Sequence, residues 1–145
     1  MDRKLILAVA GSGKTSFIVD ELSLEKRALI ITYTNNNTRN LKESIIDKFG
    51  FFPENIDLFS FYKFLYSFCF RPFLAYTLKP KGINWDIPPQ WTNRIPRNDL
   101  NYYFTKDKRL YHNRISKLLE QADIICDIQE RIEKYYDELF IDEVQ

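Results

Sequence analysis

Two short stretches of this chain carry groups suited to phosphate and metal chemistry. The first is Ala8-Val9-Ala10-Gly11-Ser12-Gly13-Lys14-Thr15, which follows the apolar run Leu5 to Val9 and precedes Ile18, Val19 and Leu22 at helical spacing. A glycine turn between a strand and a helix lets successive backbone N–H groups converge on a phosphate, and the helix adds the positive end of its dipole. In that arrangement Ala10, Gly11, Ser12, Gly13, Lys14, Thr15 and Ser16 form the nucleotide cradle. Lys14 meets the β- and γ-phosphates, and the Thr15 hydroxyl takes one position on Mg²⁺. Ala8 stands where the usual pattern has glycine. The competing reading is a Gly-Ser turn before an ordinary helix.

The second stretch is Leu139-Phe140-Ile141-Asp142-Glu143-Val144-Gln145. Its apolar residues 139–141 predict a buried strand, which places Asp142 at the carboxyl end to hold Mg²⁺ through water. Glu143, one residue on, is suited to orient or deprotonate an attacking water. Asp-Glu after an apolar strand is common by chance, so its weight comes from coexistence with the glycine turn. Together the two stretches predict a P-loop ATPase site using ATP and Mg²⁺, with Lys14 and Glu143 catalytic and Thr15 and Asp142 on the metal.

The elements that must hold these groups follow from the intervening pattern. Residues 28–33 (ALIITY) read as a second buried strand, and Thr34-Asn35-Asn36-Asn37-Thr38 suits the start of a helix. That helix spaces Leu41, Ile45 and Phe49 on one face and stops at Gly50. Residues 55–59 read as a third strand. Phe61, Phe64, Leu65, Phe68 and Cys69 follow helical spacing until Pro72 perturbs the pattern. Residues 110 to about 135 resume a helix, with Ile115, Leu118, Leu119, Ala122 and Ile125 or Cys126 on its apolar face. Strands alternating with helices predict an α/β fold with a parallel sheet covered by helices on both sides.

Residues 79–107, with Pro80, Gly82, Pro88, Pro89 and Pro96, break that rhythm and read as a mostly helical or irregular insertion. The expected domains are therefore 1–78 with 108–145, and the insertion 79–107. From residue 79 to 114 there are eight Lys or Arg against three Asp, whereas residues 115–145 hold three against nine Asp or Glu. Cations interleaved with Trp85, Trp91, Tyr102, Tyr103 and Tyr111 suit a nucleic-acid surface. An ordinary solvated insertion is the alternative.

The 145 residues suit a domain with a real core, being 45% hydrophobic, and the net charge of +1 says nothing about partners. Cys69, Cys126 and the single histidine, His112, have no metal-ligand or disulfide spacing. No signal-peptide pattern opens the sequence, and residues 58–76 are too short and too charged to span a membrane. A cytoplasmic protein without membrane contact is expected.

Four segments in order, 8–15 (AVAGSGKT), 28–45 (ALIITYTNNNTRNLKESI), 57–65 (DLFSFYKFL) and 136–145 (YDELFIDEVQ), resemble the first RecA-like domain of superfamily 1 DNA helicases of the UvrD/Rep type. The discriminating match is Thr32-Tyr33-Thr34-Asn35. The resemblance implies that Tyr33 stacks on a base of single-stranded DNA, with Thr32 and Asn35 in the same DNA-binding segment. It also implies that Gln145 contacts the γ-phosphate or attacking water as a third catalytic residue. A helicase or DNA-dependent ATPase moving 3′ to 5′ on single-stranded DNA is the implied activity. The family's histidine before Ser60 and Phe61 is Phe59 here, so no contact is carried to that position. The insertion stands where the family has its 1B subdomain.

The family's adenine-recognising segment has no counterpart in the seven residues before Ala8, so adenine selectivity finds no support. Later helicase motifs, the second RecA-like lobe and its arginine finger do not follow Gln145. This stretch alone is therefore expected to bind nucleotide weakly and to hydrolyse it poorly, the second lobe coming in cis or from a partner chain. A degenerate or split P-loop module that binds nucleotide or DNA without turnover is the alternative.

Overall fold

In the strand Ala28–Thr32 (β1) all five residues are buried, the signature of a strand covered on both faces. The computed structural model describes residues 13–142, so the expected strand at 5–9, together with Ala10, Gly11, Ser12, Glu143 and Gln145, lies outside the described residues. The described chain forms two units, residues 13–61 with 130–142, and residues 62–129.

In the first unit, Ile56–Ser60 (β2) and Glu138–Asp142 (β5) flank β1, both parallel to it, in the order β2-β1-β5. Helix α1 (Lys14–Glu21) and helix α2 (Asn35–Phe49) cover one face. Side chains alternate along a strand, so Ala28 and Ile30 point to that face. There they pack with Ile18, Val19 and Leu22 of the α1 segment, Leu41 and Ile45 of α2, and Ile56. Phe49, Phe52, Leu58 and Phe140 close the edge of this core. This is an α/β arrangement with a parallel sheet flanked by helices; of the two helix-covered faces that the alternation predicted, α1 and α2 supply one. Helix α2 begins and ends as its sequence requires. The Thr34 hydroxyl accepts from the Asn37 N–H (3.2 Å), and Gly50 closes the helix at φ 81°, a left-handed conformation that glycine adopts without strain.

The strands are locked at their amino-terminal ends. Arg27 receives Asp137 in a fork: its Nη2 donates to Oδ1 (2.9 Å), while its Nε (3.2 Å) and backbone N–H (2.9 Å) donate to Oδ2. The Arg27 carbonyl in turn accepts from the N–H groups of Asp137 and Glu138 at 2.8 and 3.1 Å. Lys26 adds an ion pair to Glu138. On the opposite side of β1, the Tyr136 hydroxyl donates to Asp57 at 2.6 Å, tying the entrance of β5 to β2. Burial, and then that carboxylate, push the Tyr136 phenol far above its ordinary range.

The second unit departs more from the periodicity. The helical run of Phe61–Lys63 (α3) continues through a π-helical stretch, Phe64–Phe70, into α4 (Arg71–Leu78). Pro72 does not end it: the wide turn shifts the ladder, so that the Arg71 N–H reaches Tyr66 O, and Pro72 falls in the first turn of α4, where a missing N–H costs little. Residues Ile83–Asn84 (β3) and Leu110–Tyr111 (β4) form a short parallel pair, with 3₁₀ turns at Gln90–Arg94 and Leu100–Tyr102 between them. The helix expected from 110 to 135 is instead β4, a 3₁₀ turn at His112–Arg114, α5 (Ile115–Gln121) and α6 (Ile125–Tyr135). Asp123 breaks it at φ 57°. Ile128 is the buried residue of α6, whereas Ile125 and Cys126 are exposed.

Arg114 organises this unit. It is buried, lies over the Tyr102 ring at 3.9 Å, and donates to the Tyr102 carbonyl, the Thr92 hydroxyl and Asn93 Oδ1. Tyr103, also buried, donates to Arg97 O at 2.7 Å. Tyr102, Tyr103 and Tyr111 are thus interior residues, and only Trp85 and Trp91 of the five aromatics remain exposed.

Two outcomes test these contacts. Arg27 holds the Asp137 carboxyl at about 2, below the 3.8 of a free carboxylate, first through its side-chain bonds and then through its N–H. A depressed carboxylate stabilises fully above its ordinary value and is lost as pH falls through its folded value. Melting temperature should therefore drop more between pH 4 and about 2 in the wild type than in Asp137→Asn. Arg114→Lys, which cannot reproduce the planar fork or the stack, should cost about 2–3 kcal/mol in denaturant unfolding followed by tryptophan fluorescence.

Candidate nucleotide and DNA site

Register decides what meets at the carboxyl edge of the sheet. Thr32 pairs with Ser60 on one side and with Asp142 on the other, so the last residues of all three strands form one row. By alternation their side chains project to the same face as Ala28 and Ile30, the face covered by α1 and α2. Asp142 is buried there at 6% exposure, the setting of a carboxylate held for a purpose or by a partner.

The direction of α1 follows from its far end. Lys48, in the last turn of α2, donates to the carbonyls of Val19 (2.8 Å), Asp20 (3.0 Å) and Leu22 (2.8 Å). Asn55, just before β2, donates to Ser23 O and Lys26 O. The carboxyl end of α1 therefore sits at the amino-terminal edge of the sheet, and α1 runs back so that its first turn points to the edge carrying Asp142. Its eight residues rise about 12 Å, close to the length of a five-residue strand.

Gly13 opens α1 at φ 82°, ψ 21°. A Cβ there would meet nothing within 4 Å, so glycine is required for its conformation rather than for space. Among the described residues no side chain caps the helix. Lys14 and Thr15 are half-buried, and Ser16 is exposed. The first-turn N–H groups and the Lys14 and Thr15 side chains thus belong to the end of α1 that points to the Asp142 edge. Ala10, Gly11, Ser12, Glu143 and Gln145 lie outside the described residues.

Among the described residues no group of three or more His, Cys, Asp or Glu could hold a metal ion. The expected Mg²⁺ set needs none, since this ion takes one or two protein ligands and completes its shell with phosphate and water. Thr15 and Asp142 fit that chemistry: a hydroxyl on the leading turn of α1 and a buried carboxylate at the edge it points to.

The expected DNA residues divide. Thr32 is fully buried, sharing a hydrogen bond of 2.5 Å with the Thr38 hydroxyl and lying 3.3 Å from Thr34 O. Its position lets it fix the backbone at the β1–α2 junction rather than touch a ligand. Tyr33 follows it, 43% exposed, with its ring 6.0 Å from that of Phe61 and 26° from parallel. Asn35 is exposed at the start of α2. Sequence reasoning did not foresee the Tyr33–Phe61 pair. Its signal is the register, since each ring follows the last residue of its strand. No helix of the described residues is long and apolar enough to cross a membrane. Comparison of the chain with protein-family models, with curated proteins and with solved structures found no match.

Proposed function

We propose that this chain is the ATP-binding portion of a UvrD/Rep-like superfamily 1 DNA-dependent ATPase, with a P-loop, RecA-like first unit. The observation that carries the reading is that one sheet edge carries three features: the first turn of α1, opened by Gly13 in the left-handed region, buried Asp142, and the exposed Tyr33.

On this reading the N–H groups from Ala10 to Ser16 and the Lys14 ammonium bind the phosphates of ATP. Thr15 and Asp142 hold Mg²⁺, which supplies charge neutralisation on the phosphate oxygens. Glu143 accepts a proton from the attacking water, and Gln145 orients it. Tyr33, with Phe61 beside it, offers a face to an unpaired base, while Asn35 lies next to the strand path. A second RecA-like lobe, in cis or in a partner chain, supplies an arginine to the phosphates and makes nucleotide closure move single-stranded DNA from 3′ to 5′.

Titration with a fluorescent ATP analogue in Mg²⁺ tests the first part. Lys14→Ala should weaken binding at least about tenfold, the loss of one charge-assisted contact. Glu143→Gln should retain nucleotide and abolish DNA-stimulated turnover of a form that includes the second lobe. Turnover unchanged in both variants would remove the reading. Tyr33→Ala should weaken oligo(dT) binding by about 1–3 kcal/mol.

A further inference from the structure

The second unit has an aromatic cluster that the proposed ATPase chemistry does not use. Trp85 and His112 follow the paired strands β3 and β4, and their rings lie 5.5 Å apart at 31°. Tyr62 meets both edge-on, at 5.6 Å from Trp85 and 5.2 Å from His112. His112 Nδ1 is 3.3 Å from Asn84 O, which fixes the histidine ring. Core aromatics packed this way are normally closed over, yet Trp85 remains 60% exposed. A rigid, backed and exposed indole is a stacking surface.

Its surroundings select the ligand. The same strand pair brings two basic segments together at its other end, where the Lys81 N–H donates to Lys108 O at 2.8 Å. Lys79, Lys81, Lys106 and Lys108 are all exposed there. Asp107 is already matched to Arg109 at 3.2 Å. Asp86, beside Trp85, is the opposing charge, so a phosphate is favoured at the lysine end and a neutral base at the indole. We propose that the second unit carries its own binding site for single-stranded nucleic acid, with a base stacked on Trp85 and the backbone on the lysines of the β3–β4 entrance. The inference rests on the proposed function for its ligand class alone.

The test is fluorescence anisotropy of labelled oligo(dT) at low salt with the wild type, Trp85→Ala, Trp85→Phe, Asp86→Asn and Tyr33→Ala. Loss of one stacking platform corresponds to about 5- to 150-fold weaker binding in Trp85→Ala. Trp85→Phe should recover most of it, and Asp86→Asn should bind more tightly than wild type. Wild-type affinity in Trp85→Ala with a loss in Tyr33→Ala would overturn this site and leave the proposed function standing. A loss in Trp85→Ala with none in Tyr33→Ala would do the reverse. Poly-glutamate competing as well as oligo(dT), regardless of Trp85, would also overturn it by revealing a general polyanion surface. If Trp85→Ala loses its far-ultraviolet circular dichroism, Asp86→Asn decides: tightening supports the site, and unchanged affinity overturns it.

Discussion

The register of β5 against β1 is the constraint on which the candidate site depends. Side chains alternate with a period of two, so a slip of one residue would turn Asp142 from the face covered by α1 to the opposite one. Several contacts oppose that slip. The Arg27–Asp137 fork uses both side-chain and backbone donors, and the Arg27 carbonyl holds two successive N–H groups of β5. Each contact is exposed and weak alone. Together with the buried ladder they fix one alignment, and the Tyr136–Asp57 bond extends it to β2. What is locked at the amino edge is expressed at the carboxyl edge, where Thr32, Ser60 and Asp142 end level.

Much of the first unit was legible because its signals are local. Ala28–Thr32 is continuously apolar up to its last residue, Thr34 and Gly50 bracket α2, and residues 139–141 announce β5. Parallel pairing was legible from the alternation of elements, whereas strand order was not, since it depends on contacts between residues more than a hundred positions apart. Ionic residues such as Arg27 and Asp137 look like any solvated charge until their strands are adjacent.

The second unit resisted reading for a different reason. Beside its apolar residues, its interior holds Thr92, Arg114 and three tyrosines, types that sequence assigns more readily to surfaces. Arg114 is one of the eight cations of the basic stretch 79–114, yet it is buried against carbonyl, hydroxyl and amide oxygens and the Tyr102 ring. A guanidinium can be interior without a carboxylate when its donors and its face are all satisfied. Periodicity failed in the same way at Asp123, where an exposed residue at positive φ splits one apparent helix into α5 and α6.

The two ends of α1 are treated unequally, and this links fold to chemistry. A helix carries partial positive charge at its amino end and partial negative charge at its carboxyl end. At the carboxyl end, the Lys48 ammonium gathers three carbonyls, so that end is neutralised within the fold. At the amino end, Gly13 supplies only backbone and no side-chain acceptor, and the first turn holds no acidic residue. A helix optimised for stability alone would place Ser, Asp or Asn at that cap, worth about 0.5–2 kcal/mol over alanine. Glycine forgoes that acceptor, so the cap residue and first turn of α1 carry no side-chain anion of their own. The positive end of α1 is thus turned toward the edge that carries Asp142, so the electrostatics of the helix and the register of β5 meet at one end of the sheet.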